Sequence, residues 1–98
     1  MNNIIVLAKI TPKHGCKDGI LEISEDLIEA TLTEKGNIDY ELLLSANDNT
    51  LTFVEKWETL ESLKKHMNSP HFQTFETECE EFMENMDIRI YNSSEIEL

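Results

Sequence analysis

Positive charge is scarce in this chain. Eight Lys and Arg stand against twenty Asp and Glu, a formal net charge of −12. Nucleic-acid affinity comes from Lys and Arg neutralising phosphates, and anionic membrane surfaces attract the same side chains, so neither is an expected partner. No apolar run approaches bilayer-spanning length, and the start, Met1-Asn2-Asn3-Ile4, lacks the basic segment that opens a signal peptide. Cysteine is limited to Cys16 and Cys79, with no Cys-x-x-Cys pair, which excludes a disulfide framework. With no signal segment, the expectation is reduced thiols in the cytoplasm, where the Asn92-Ser93-Ser94 sequon is a chance match. Repeats, linkers and low-complexity segments are absent. Ninety-eight residues, 40% of them apolar, make a single domain, 1–98, with a modest core that oligomerisation would help.

Within that frame the apolar pattern changes period several times. Ile4, Val6, Ala8 and Ile10 alternate with Ile5, Leu7, Lys9 and Thr11, a strand with one buried face. Pro12 and Gly15 end it. From about Lys17 to Lys35 the spacing is helical, with Ile20, Ile23, Leu27 and Ala30 in one stripe flanked by Ile28. Gly36 is placed as its C-cap, with Lys35 at the negative end of the dipole. A strand at about Ile38–Ser45 and another at Leu51–Trp57, separated by Asn and Asp turn chemistry, predict an antiparallel hairpin. Thr59 suits the N-cap of a short helix carrying Leu60, Leu63 and Met67, and Ser69-Pro70 opens another. Phe72, Phe75, Cys79, Phe82 and Met86 continue that helical series, backed by a solvated run of glutamates, and Ile88, Ile90 and Tyr91 form a last strand. Ile96 and Leu98 alternate in a short tail.

The order β-α-β-β-α-β is the split βαβ, or ferredoxin-like, plan: an α+β fold with a four-stranded antiparallel sheet and helices on one face. The other face carries Leu7, Leu43 and Val54, too apolar to stay wet. A face-to-face dimer would cover them.

Glu55-Lys56-Trp57-Glu58, followed by Leu63-x-x-His66-x-x-Ser69-Pro70-His71-Phe72-x-x-Phe75, with Tyr40 in the preceding strand, resembles antibiotic biosynthesis monooxygenase domains over some ninety residues. The resemblance implies a dimeric α+β barrel, a homodimer of two sheets packed face to face, with Asn92–Leu98 able to reach the partner. It also implies oxygen insertion into a small aromatic or quinol-like substrate with no cofactor, neither metal nor flavin. Triplet oxygen reacts slowly with closed-shell molecules, whereas an ionised quinol can give it one electron. Such a site needs a base near neutrality, an apolar pocket and a hydrogen-bond donor. His66 has the pKa range of the catalytic base. Tyr40 and Trp57 can donate hydrogen bonds, Phe53, Phe72 and Phe75 can line the pocket, and His71 stands beside them as a substrate-binding candidate.

Each has a plainer role available. His66 can satisfy a loop carbonyl, His71 can sit in a first helical turn, and Tyr40 and Trp57 can be core residues with a bonded polar tip. Phe72, Phe75 and Phe82 read first as core. No metal site is expected: His66 and His71 are five apart across the Ser-Pro break, unlike i, i+4 zinc ligands, with no carboxylate nearby to complete a set. Haem-degrading relatives rely on an Asn, a Trp and a His where an ungapped match puts Ala8, His66 and Glu76, so haem breakdown is disfavoured. Besides a quinol or polyphenol monooxygenase, the pattern admits an isomerase or degrading enzyme for a small oxygenated signalling metabolite, or a non-catalytic dimer binding an apolar ligand.

Overall fold

The computed structural model describes residues 2–98. Its elements are β1 (Asn3–Pro12), α1 (Lys17–Thr31), β2 (Asn37–Leu44), β3 (Leu51–Trp57), α2 (Leu60–Met67), α3 (Pro70–Cys79) and β4 (Met83–Ser93), with a short 3₁₀ turn at Glu80–Phe82 before β4. The four strands form one antiparallel sheet in the order β2-β3-β1-β4. This is the α+β, ferredoxin-like arrangement expected from the change of period along the chain.

Register explains which side chains share a face, because directly paired residues project to the same side of a sheet. Val6 pairs with Glu55 and Ile90, Ala8 with Phe53 and Ile88, and Tyr40 with Glu55. These residues lie on the inner face, where Val6, Ala8, Ile10, Leu51, Phe53 and Trp57 pack with Ile20, Leu27, Leu63, Phe75 and Cys79 of the helices. Leu7 pairs with Val54 and Arg89, and Leu43 with Thr52, on the outer face. No helix among the described residues covers that side, and Leu7, Leu43 and Tyr91 remain exposed.

The helices depart from the spacing argument in three places. Helix α1 stops at Thr31, not Lys35. Thr33 donates its hydroxyl to the Ala30 carbonyl at 2.7 Å, and the Glu34 amide bonds Thr31 instead of Ala30. The hydroxyl thus takes an acceptor that another α-turn would have used, and the chain tightens and leaves the axis. Gly36 is therefore a loop residue, not the helix cap. Its φ of +91° suits glycine, and any Cβ there would collide with Ser62 Oγ.

In α2 the buried residues are Leu63 and His66, while Leu60 and Met67 are exposed. Helix α3 ends at Cys79, so Met86 and Glu84 lie in β4. Met86, Ile88 and Ile90 also fit an alternating series, and pairing with β1, which begins at Met83–Pro12, decides between the two periods. Ile96 and Leu98 lie beyond the last strand, exposed.

Both expected caps form. Thr59 Oγ1 accepts from the Ser62 amide at 3.1 Å, and Ser69 Oγ accepts from the Phe72 amide at 3.3 Å, with Pro70 in the first turn.

Candidate active site

Ser69 sets the geometry of the site. Besides capping α3, its hydroxyl donates to the His66 carbonyl at 2.6 Å, and its amide bonds the same oxygen at 3.0 Å. The last turn of α2 and the first of α3 are thereby pinned at a fixed bend. His66 and His71, separated by that bend in sequence, come side by side with ring centroids 5.9 Å apart.

The loop after α1 brings in a third group. The Gly36 carbonyl accepts from the Glu58 amide at 2.8 Å, tying this loop to the start of α2. Glu34, thrown off the helix axis by the early stop, then lies against both histidines. Its Oε1 is 2.9 Å from His66 Nδ1 and is also hydrogen-bonded to His71 Nε2. On its other side His66 Nε2 lies 3.3 Å from the Tyr40 hydroxyl. The arrangement is a continuous chain, Tyr40–His66–Glu34–His71, running from the core to the surface. Glu34 corrects the expectation that no carboxylate stands near the two histidines.

A consistent set of protons follows from these partners. A Glu34 carboxylate oxygen can only accept, so His66 Nδ1–H and His71 Nε2–H donate to it. His66 Nε2 is then left as an acceptor for the Tyr40 O–H. Burial pulls the His66 pKa down, against the pull of Glu34 in the opposite direction, which favours the neutral ring. Burial, and next the nearby Glu55, push Tyr40 above its ordinary value, so it keeps its proton as a donor.

Aromatic packing surrounds His66. Its ring centroid lies 4.8 Å from Trp57, 5.1 Å from Phe72 and 5.2 Å from Tyr40. Tyr40 packs on Phe53 at 5.3 Å, and Phe53 on Phe75 at 5.6 Å. All seven residues singled out in the sequence (Tyr40, Phe53, Trp57, His66, His71, Phe72 and Phe75) therefore belong to one contiguous cluster. They differ in access. His66 is 1% exposed, whereas His71 is 26% and Glu34 16% exposed by side chain.

Two depressions meet at His71. An open groove of about 480 Å³ has Glu34, Lys35, Glu58, Ser62 and Lys65 in its wall. A cleft of about 330 Å³ between α1 and α3 is lined by Ile23, Leu27, Pro70 and Phe75 together with Asp26, Thr74 and Glu78. His71 borders both.

Glu55 is the second residue missed by sequence reasoning. It sits on the inner face of β3, buried, with Trp57 Nε1 donating to its Oε1 at 3.0 Å. Burial, and to a smaller degree Glu34, raise its pKa to about 7, although the Trp57 hydrogen bond pulls the other way. A signal was present: Leu51, Phe53, Glu55 and Trp57 alternate on one face, and an acid in an apolar row is a recognised mark of a functional position.

Comparison with known proteins agrees with this architecture. The sequence model described as antibiotic biosynthesis monooxygenase matches residues 3–78. A conserved protein of Methanosarcina mazei Go1, known as a crystal structure, superimposes with a TM-score of 0.91 at 31% identity, covering 96% of this chain and 95% of that one. A Bacillus subtilis protein named "Putative monooxygenase YcnE" is 28% identical over 81 residues, 82% of this chain and 85% of its own. The structure of Rv0793 from Mycobacterium tuberculosis shares the fold with a TM-score of 0.90 at 20% identity, covering 96% and 97% of the two chains.

Proposed function

The chain belongs to the antibiotic biosynthesis monooxygenase family, and from that premise we propose that it is a monooxygenase that inserts oxygen into a quinol or polyphenol without metal or flavin. The observation that carries this is the Tyr40–His66–Glu34–His71 chain, whose outer end opens beside a largely apolar cleft of about 330 Å³. The substrate ring lies between Leu27, Pro70 and Phe75, with a hydroxyl at His71. His71 takes the proton at Nδ1, the ring nitrogen that Glu34 does not engage, while His66 Nδ1–H holds the same Glu34 oxygen in place. The imidazolium that forms is held against the Glu34 carboxylate, which offsets its charge.

The ionised quinol then gives one electron to oxygen, and recombination makes a carbon–oxygen bond. One oxygen atom stays on the ring and the other leaves as water, so quinol plus O₂ yields hydroxyquinone plus water. The substrate supplies every electron, and no external reductant is needed. Oxygen uptake with a panel of reduced quinones tests the proposal. No uptake and no hydroxyquinone removes it. Uptake that His71→Ala leaves unchanged removes His71 as the base, since loss of a general base slows a reaction about 10²- to 10⁴-fold.

The same reading takes residues 1–98 as a single domain acting as a cytoplasmic homodimer. Leu7, Leu43 and Tyr91, exposed on the outer face of the sheet, support the dimer, and the two free cysteines fit a reducing compartment. No helix among the described residues is long and apolar enough to cross a membrane.

A further inference from the structure

We propose that Glu34, His66 and His71 form a binding site for one divalent transition-metal ion of the zinc class. This goes beyond the oxygenase reading, in which the triad handles only protons. Three observations carry it.

The donor atoms, Glu34 Oε1, His66 Nδ1 and His71 Nε2, all lie within 4.8 Å of one another. A zinc ion binds imidazole nitrogen and carboxylate oxygen at about 2.0–2.2 Å, which places neighbouring donors about 3.0–3.5 Å apart. The 2.9 Å between His66 Nδ1 and Glu34 Oε1 is already close to that spacing. Two imidazoles and one carboxylate are the ligand set of borderline ions such as Zn²⁺, Co²⁺, Ni²⁺ and Fe²⁺, whereas Mg²⁺ and Ca²⁺ prefer oxygen donors alone.

The surroundings fit as well. A metal-bound histidine usually donates its other N–H to a fixed partner, and the Tyr40 oxygen stands 3.3 Å from His66 Nε2 to receive it. On binding, His66 moves its proton from Nδ1 to Nε2 and His71 from Nε2 to Nδ1. The ion thus takes the place of the two protons now donated to Glu34. Access is provided by the groove of about 480 Å³, which Glu34 and His71 both line. Three protein ligands leave a coordination position open on that side for water or an anionic oxygen. A triad holding the ion has no lone pair left for a substrate proton, so the two uses exclude each other.

The test uses the full chain, stripped with EDTA, titrated calorimetrically with Zn²⁺ and spectroscopically with Co²⁺. The expected result is one ion per chain, with visible Co²⁺ bands that mark nitrogen and oxygen ligation in fewer than six positions. His71→Ala, at a half-buried position in the first turn of α3, should weaken binding at least about 100-fold, and Glu34→Gln should do likewise. Circular dichroism confirms that both variants fold; if either fails, the other carries the comparison. Absence of stoichiometric binding at micromolar Zn²⁺ overturns the proposal. So does binding that both substitutions leave intact, which would assign the ion to the acidic surface or to Cys16. Because no substrate is involved, failure here leaves the oxygenase reading untouched, and oxygen uptake by the EDTA-treated chain decides that reading separately.

Discussion

The two faces of the sheet obey one alternation rule but meet opposite fates. On the inner face Val6, Phe53 and Trp57 are sealed beneath the helices, together with the ionisable Tyr40, Glu55 and His66 of α2. On the outer face Leu7 and Leu43 stay exposed, and Lys9, Lys56 and Arg89 share their side of the strands. The inner face is dry, so each polar group must be partnered and each pKa responds to burial. The outer face is wet, so its apolar residues are worth little until a second surface covers them. The first face is suited to chemistry and the second, on the reading proposed above, to association.

The largest test of this contrast is Trp57→Ala. Trp57 is fully buried, and its loss should cost about 3–5 kcal/mol of stability, measured by denaturant unfolding. Leu43→Ala on the outer face should stay within about 0.5 kcal/mol for the separated chain. Equal costs would abolish the distinction.

Next comes Glu55. Its pKa is about 7 in the fold, against 4.5 for an unperturbed glutamate. Between those values the folded state holds a proton that the unfolded state has released, so this group costs stability as pH rises. The cost is absent below about 4.5 and complete above about 7, and reaches about 3 kcal/mol. Glu55→Gln should flatten that loss, raising stability at pH 8 relative to pH 5. An unchanged slope would place Glu55 in a wetter setting than the inner face.

On the outer face, Leu43→Glu puts a charge beside Thr52, on the side of the sheet that also carries Leu7 and Val54. It should weaken self-association at least about tenfold, or about 1.4 kcal/mol, with little effect on the thermal midpoint of the separated chain. Light scattering checks it, and a wild-type monomer of 11.4 kDa at micromolar concentration would deny that face its role. Higher salt should favour the dimer, because like charges on the −12 subunits are then screened.

The last test concerns a position on neither face. Thr59→Ala removes the cap of α2 and should cost about 1 kcal/mol, setting a baseline against which the two faces are compared.

Most of the architecture was legible because its signals are local. Alternation marked the strands, Ser69-Pro70 marked the helix break, and the Trp57-to-Phe75 spacing marked the family. The errors came where two local patterns overlapped. Met86 fits both a helical and an alternating series, and only pairing with β1 selects the strand. Lys35 continues a helical stretch that the Thr33 hydroxyl had already ended. Tyr40, Phe53, Trp57, His66, His71, Phe72 and Phe75 were nominated by type and spacing, and they do cluster. Glu34 was invisible, since thirty-two residues separate it from His66 and nothing in its neighbours distinguishes it from other acids.

By itself the sequence determined the order of elements, the inner and outer faces of the strands, and the N-caps at Thr59 and Ser69. Each depends on residues within a turn or two, where steric and hydrogen-bonding preferences act without the rest of the chain. Only the tertiary structure decided that Glu34 bridges two histidines, that His66 is sealed while His71 opens to a groove, and that Glu55 sits in the dry. Hydrogen-bond partners and solvent exposure depend on segments distant in sequence, and those are set only when the loop after α1 docks against the bend between α2 and α3.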